Sequence, residues 1–133
     1  MRSAVIEYLT SSAGKDWRVS TQLPWSDGNV ELYKKNPRTL YVATPTRDQE
    51  PLYTVFGGRQ VIRETRTLQI FVAVDVKRQP DSLPDLITTV ANTSEIKEFK
   101  LVHNRTVALD QRLEDELLVL EFTITLVSTI NNI

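Results

Sequence analysis

The clearest pattern in the chain is an alternation of apolar and other residues over positions 65–77, TRTLQIFVAVDVK. One set of alternate positions is entirely apolar: Leu68, Ile70, Val72, Val74 and Val76. A period of two places these side chains on one face of a β-strand, and the other face is mixed. Many of the residues are β-branched and neither Pro nor Gly interrupts them, so the pattern predicts a long central strand over a core.

A helix is predicted directly after this strand. Ser82 is a suitable N-cap residue, Pro84 fits a first helical turn, and Asp85 suits the positive end of the helix. The apolar residues then fall on one helical stripe: Leu83, Leu86, Ile87 and Val90. The centre of the protein is therefore predicted to be a long strand leading into a helix that folds back over it.

Residues 117–130 predict a second long strand with the same alternation. Its apolar face carries Leu118, Leu120, Phe122, Ile124, Leu126 and Ile130. The opposite face carries Val119, Glu121, Thr123, Thr125 and Val127. Because the two long strands match in length and pattern, we expect both in one sheet beneath the same helices.

The other elements are shorter. Residues 3–13 predict a first helix, and Gly57-Gly58-Arg59 predicts the tip of a hairpin, since glycine tolerates the positive φ of a tight turn. Further strands are predicted at 17–23, 38–44, 52–56, 60–64 and 99–109, and surface turns at 45–51 and 110–116. The order predicts a single α+β domain over residues 1–133. We expect a two-layer sandwich with a mainly antiparallel sheet, two helices packed on one face, and a protruding β-hairpin.

Composition narrows the class of protein. The chain has 133 residues, a formal net charge of -1 and no cysteine. The charge gives no overall field that would attract nucleic acid or an anionic membrane, and the lack of cysteine excludes disulfides and thiolate metal sites. No apolar run is long enough to span a bilayer. We therefore expect a soluble intracellular protein.

Candidate catalytic chemistry is sparse. His103 is the only histidine, and no second histidine or cysteine can join it in a metal or nucleophile site. Asp75 and Glu121 lie on the mixed faces of the two long strands and could bind a divalent metal or act as acid and base. Single acids on a half-exposed strand are common, however, and Gly57-Gly58 lacks the helix and lysine of a phosphate-binding loop. We expect no cofactor, no metal and no enzymatic activity.

The basic residues allow three interpretations. Arg59, Arg63 and Arg66 follow the hairpin tip, and a second cluster comprises Lys34, Lys35 and Arg38. They could contact phosphates, with Tyr33, Tyr41 and Tyr53 as stacking faces. They could also form a solvated arm balanced by acids such as Glu64, or a charged arm that docks on another protein chain. Trp25, in a turn-rich segment, is consistent with the docking arm.

The mixed faces of the long strands also bear on assembly. Phe71, Ala73, Val119 and Val127 are too apolar for a simple solvated face. We expect either another segment of the chain or a neighbouring subunit to cover them.

The order of segments resembles that of the tail terminator (tail-to-head joining) proteins of long-tailed phages. A short helix comes first, then the segment LPWSDGNVELYKKNPRTLYV, and then a hairpin. The segment FVAVDVKRQPDSLPDLITTV resembles the strand, turn and helix of the family. The segment LLVLEFTITLVSTI resembles its last strand. The resemblance covers most of the chain, rests on no catalytic motif, and extends to other small neck and tail-completion proteins. It implies a structural protein that forms a hexameric ring and needs no cofactor.

Our leading hypothesis is therefore a virion protein of the tail or neck, assembled in the host cytoplasm. Its ring would cap the tail tube, end tube polymerisation and join the tail to the head completion or connector protein. The expected partners are copies of itself, the tail tube protein and the connector, with no membrane and no specific nucleic acid. The alternative is a small cellular α+β enzyme or ligand-binding domain that uses Asp75 and Glu121. The candidate interface residues are Trp25, Gly57, Gly58, Arg59, Arg63, Arg66, Phe71 and Val119.

Overall fold

The computed structural model describes most of the chain. The described residues are 1–14, 16–21, 38–55, 57–100, 102, 104–114 and 116–132. Several residues that the sequence singled out lie outside them: Trp25, Tyr33, Lys34, Lys35 and His103.

Two α-helices and six strands make up the described fold. In chain order the elements are α1 (Arg2–Ser12), β1 (Arg18–Ser20), β2 (Thr39–Val42), β3 (Thr46–Val55), β4 (Arg59–Asp75), α2 (Leu83–Ala91), two 3-10 helices (Asn92–Glu95 and Lys97–Phe99), β5 (Asn104–Glu114) and β6 (Leu117–Asn132). The predicted α+β class is confirmed.

A single sheet in the order β1-β2-β4-β6-β5 contains the strands, with β3 also paired to β4. The β1–β2 pair is parallel and all other pairs are antiparallel. The β4–β6 register runs without interruption from Gln60 opposite Asn132 to Asp75 opposite Leu117. Because β2 pairs with one part of β4 and β3 with another, the two share the same side of this long strand.

The predicted alternation is confirmed by burial over residues 68–74 and 120–126, but it is wrong for Val76, which follows the end of β4, and for Ile130, since both are exposed. Leu68, Ile70 and Val72 of β4 are fully buried with Phe122 and Ile124 of β6 in the main core. The helices complete this core with Val5 and Leu9 from α1 and with Leu83, Leu86 and Val90 from α2. Full burial of one such side chain stabilises a fold by about 1.5–3 kcal/mol, so this layer supplies the main stability of the domain.

The opposite face of the same part of the sheet carries a second buried cluster. Its members are Tyr41, Ala43, Phe71, Ala73, Leu117 and Val119. The face that the sequence predicted as mixed is therefore apolar and buried where β2, β4 and β6 lie side by side. Burial raises the pKa of the Tyr41 phenol, and a hydrogen bond with Thr39 lowers it by a smaller amount.

The start of α2 differs in one detail from its prediction. Ser82 occupies the N-cap position, with proline in the first turn and Asp85 near the positive end, as predicted. The Ser82 side chain makes no capping hydrogen bond; instead its Oγ accepts one from Nε1 of Trp17 at 3.1 Å. The hydroxyl therefore satisfies a buried indole N–H from a segment 65 residues earlier.

Two predicted turns are wrong, because they belong to strands. Residues 46–51, predicted as a surface turn, are the first part of β3 and pair with residues 62–67 of β4. Residues 110–114, predicted as a charged turn, are the last part of β5 and pair with 117–121 of β6. Both segments lie in strands at the sides of the sheet, where pairing with a neighbour stabilises a strand whose charged residues favour a turn when the sequence is considered alone. Phe99, predicted to begin a strand, lies in a 3-10 helix and is buried in the main core.

Candidate functional site

Part of the sheet extends beyond the main core as a three-stranded arm. We define the arm as β3, the tip residues Gly57 and Gly58, residues 59–67 of β4 and residues 127–132 of β6; its strands pair side by side. None of residues 46–54 of β3 belongs to either buried cluster. The arm is the protruding hairpin that the sequence predicted, extended by the end of β6.

The tip of the arm is set by its glycines. Gly57 and Gly58 have φ values of 93° and 81°, in the left-handed region. A side chain disfavours this backbone conformation, so glycine suits both positions. The flanking residues Val55 and Arg59 pair directly, which confirms the predicted hairpin.

A buried carboxylate lies in the arm on the face that continues the helix side of the sheet. The Glu64 side chain accepts a hydrogen bond at Oε2 from Gln49 Nε2 at 3.0 Å. Arg47 Nε lies 3.5 Å from Glu64 Oε2, and Arg66 Nε lies 3.5 Å from Glu64 Oε1. Buried charges are tolerated when they are paired and hydrogen-bonded, so this group ties β3 to β4 through side chains as well as backbone.

The arm meets the start of α1 at a small cavity of about 380 Å³. Met1, Pro45, Thr46, Arg47 and Arg66 line it. The Arg66 side chain is only 26% exposed and is turned towards Glu64 and this cavity. Arg66 therefore faces the cavity between the arm and α1, and it presents little charge to another molecule.

The other face of the arm is open. Arg63 is half exposed, and its Nη1 lies 3.9 Å from Oε2 of Glu50 on β3. Tyr53, on the same face, is 60% exposed, although Val61 opposite it is buried. Leu52, at the register shift, is also exposed, as is Ile130 on the helix-side face. An exposed ion pair contributes little to stability, so these groups are available for contacts with another protein. A protruding strand pair with exposed apolar and charged side chains is suited to docking.

The structure separates two candidate interface residues from the arm. Phe71 and Val119 are 4% and 1% exposed in the second buried cluster. Of the two expectations for this face, burial within the single chain is the one observed, and neither side chain offers surface to a neighbouring subunit. Gly57, Gly58, Arg63 and Arg66 do lie together in the arm, as does the backbone of Arg59.

Asp75 and Glu121 are not brought together. Asp75 lies opposite Leu117 and Glu121 opposite Phe71, so the two acids are four positions apart, about 13 Å along the strands. Asp75 Oδ1 accepts a hydrogen bond from the backbone N–H of Lys77 at 2.9 Å. Each carboxylate thus has its own structural partners, and the described residues contain no group of three or more His, Cys, Asp or Glu placed to hold a metal ion.

Glu121 is a structural acid within the sheet. Its Oε1 accepts a hydrogen bond from Gln69 Nε2 at 2.8 Å, and its Oε2 accepts one from Arg112 Nη1 at 2.9 Å. Hydrogen bonds to Glu114 and then Glu121 raise the pKa of Arg112. The Glu121 carboxylate therefore connects β4, β6 and β5 on one face.

The nucleic-acid interpretation loses one of its stacking residues. Tyr41 is buried in the second cluster. Nη1 of Arg38 lies 3.8 Å from Oδ1 of Asp16 in an exposed ion pair. Tyr53 and Arg63 remain exposed, but their neighbours include Glu50 and Asp48, which would repel phosphate.

The sequence pattern did not predict one exposed segment of the sheet. Leu109 and Leu113 of β5 are exposed large apolar residues on the strand that was predicted to end at 109. The period-two series Arg105, Val107, Leu109, Gln111 and Leu113 was the available signal. The charged residues between these positions obscured the series, because they favour a turn when the sequence is considered alone.

Comparison with known proteins assigns no family. No protein-family model matches the chain, and no curated protein sequence matches it at a significant level. Among the described residues, no helix is long and apolar enough to cross a membrane. A functional proposal therefore depends on the arm and on the order of elements.

Proposed function

We propose that the chain is a structural virion protein of a long-tailed phage, which forms a ring on the end of the tail tube. The observation that carries the proposal is the arm, which projects from a domain whose cores are already filled. The order of helix, strands, hairpin, long strand, helix and long strand also supports the resemblance to tail terminator proteins.

The arm suits ring assembly for a geometric reason. Contacts around a ring of identical subunits are head-to-tail, so one patch must meet a different patch on the neighbour. A projecting strand pair can reach across to such a patch, whereas the filled core cannot change shape to do so. Exposed Tyr53 offers an aromatic anchor, and Arg63 and Glu50 can fix the register of the contact.

The mechanism is capping. A hexameric ring occupies the growing end of the tube and stops further addition of the tube protein, and its other surface binds the head completion or connector protein. No bond is made or broken, so the mechanism requires neither a cofactor nor a metal. The distance between Asp75 and Glu121 gives no support to the alternative of a small enzyme or ligand-binding domain that uses both carboxylates.

The test is removal of the chain from the phage that encodes it, followed by electron microscopy of the tails. We expect tails of excessive and variable length that fail to join heads, and restoration when the wild-type chain is supplied in trans. Tails of normal, uniform length that still join heads would contradict the proposal.

A further inference from the structure

The strand β5 is an uncovered edge of the described sheet. It pairs with β6 on one side and is the last strand in the order β1-β2-β4-β6-β5. Residues 108–113 are all exposed, on both faces of the strand. An edge strand leaves backbone N–H and C=O groups free to pair with another strand.

The arm edge formed by β3 differs in being blunted. Pro51 interrupts β3 and cannot donate a backbone hydrogen bond, and the register with β4 shifts between Pro51 and Tyr53. Proline and bulges are the usual protection against edge-to-edge pairing. The eleven residues of β5 contain neither proline nor glycine, and its register with β6 is unbroken. β5 is therefore less protected against edge-to-edge pairing than β3.

The exposed segment of β5 is complementary to itself. Residues 109–113 read Leu-Asp-Gln-Arg-Leu. When an antiparallel copy is centred on Gln111, Leu109 of each chain lies opposite Leu113 of the other, and Asp110 of each lies opposite Arg112 of the other. The two leucines point to the helix side of the sheet with Phe122 and Leu118, and the charged pair points to the other side. The helix-side face thus carries two leucine pairs, and the other face carries two aspartate–arginine pairs.

The charges select this register. An axis at Asp110 would place two aspartates opposite each other, and an axis at Arg112 would place two arginines opposite each other. Like charges directly opposite are destabilising, and opposite charges and apolar pairs are stabilising. Arg112 is also held in place, because its Nε lies 2.8 Å from Glu114 Oε1 and its Nη1 lies 2.9 Å from Glu121 Oε2.

We propose that the β5 edge binds a second copy of this chain in antiparallel fashion, with a two-fold axis at Gln111. Two sheets then join into one across the pair. The exposed Leu113, at 66%, gains a leucine neighbour, which a solvated edge strand does not provide. A two-fold contact is complete with two chains, so it is distinct from the head-to-tail contacts of a ring and does not depend on the proposed function.

A single cysteine tests the axis directly, because the chain contains no cysteine of its own. In the Gln111→Cys variant the two thiols meet at the axis, where opposed Cα atoms lie within the roughly 4.4–6.8 Å range of disulfides. In the control variant Ala108→Cys the two residues lie about 20 Å apart along the strands. Under mild oxidation we expect most of the Gln111→Cys chain to become a covalent dimer while Ala108→Cys stays monomeric. Equal cross-linking of both variants, or none, would overturn the proposal.

Sedimentation equilibrium of the reduced proteins tests the energetics. Asp110→Arg places like charges opposite each other twice, and we expect it to weaken dimerisation about tenfold. Asp48→Arg, the same change on exposed β3, should leave dimerisation unchanged, and Leu113→Lys should weaken it. Circular dichroism shows whether each variant is folded. A wild-type chain that stays monomeric at all concentrations, or equal effects of Asp110→Arg and Asp48→Arg, would overturn the proposal whatever the outcome of the tail-length experiment.

Discussion

The two long strands pass through two very different environments. In the base of the pair, which we define as residues 68–74 of β4 and 118–124 of β6, the apolar positions of both faces lie in buried clusters. In the arm, the same strands continue in the same register. The helix-side positions change from Leu68, Ile70 and Val72 to Ile62, Glu64 and Arg66. Backbone pairing is thus continuous while the source of stability changes along the strands.

This difference shows how a domain can extend paired strands beyond its main core. The base stabilises β4 and β6 through apolar burial, and their hydrogen-bond ladder extends that order into the arm. Glu64 and its partners then attach β3 to this extension. The arm therefore depends on the base for its stability, whereas the base does not depend on the arm.

The largest expected effect is the loss of folding on Val72→Asp. This change places an unpaired carboxylate in the fully buried base, at a cost of several kcal/mol. The matched change Ile62→Asp lies on the same face of the same strand in the arm, where we expect a loss of about 1 kcal/mol. Urea denaturation compares the two. If both variants lose the same free energy of unfolding, the base and the arm do not differ in how strongly apolar burial stabilises them.

Glu64→Gln should have the next largest effect. It removes the charge shared by Arg47 and Arg66 and leaves two guanidinium groups unneutralised, for a loss of about 2 kcal/mol. Hydrogen exchange should show the loss in amides of the arm and much less in the base. Glu50→Gln, which breaks only the exposed pair with Arg63, is the control and should cost about 0.5 kcal/mol or less. A larger effect at Glu50 than at Glu64 would refute the assignment of Glu64 as the link between β3 and β4.

A smaller effect is expected from Gly57→Ala. A Cβ at this position meets nothing within 4 Å, so the penalty comes from the positive φ alone, about 1 kcal/mol. Thermal unfolding measures this loss. A stabilised variant would show that the turn can adopt another conformation at no cost.

The smallest effect on stability is expected from Arg63→Gln. The exposed pair with Glu50 contributes at most about 0.5 kcal/mol, so the midpoint of denaturation should scarcely move. Binding to the end of the tail tube, measured by co-sedimentation, should nevertheless weaken, because the Arg63 side chain lies on the open face of the arm. Unchanged binding would exclude Arg63 from the interface.

The sequence predicts the base well because apolar burial produces a clean alternation there. It fails for residues 46–51 because Arg47, Asp48 and Glu50 show no alternation, and only pairing with β4 makes the segment a strand. Pro51 adds to the error, since proline usually indicates a turn. The same limitation applies to residues 110–114 on the edge strand β5.

The residues of the candidate site also differ in whether the sequence predicts their structure. The tip at Gly57 and Gly58 was predictable, because positive φ is a local property of glycine. Cover for Phe71 and Val119 was predictable from their apolar character, but its source was not, because it depends on Tyr41 and Ala43, from a distant part of the chain, meeting them on one face. The partner of Ser82 likewise depends on a contact with Trp17 that no local pattern encodes.

The most direct test of the account is the length of tails assembled with a chain that lacks the outer arm. Residues 50–63 are replaced by Asn-Gly, so that the paired residues Gln49 and Glu64 flank a two-residue hairpin turn and Glu50, Tyr53 and Arg63 are removed. Because the base is independent of the arm, we expect this variant to fold, as judged by circular dichroism, and to give tails as long and variable as those formed without the chain. A folded variant that yields tails of normal, uniform length joined to heads would contradict the account.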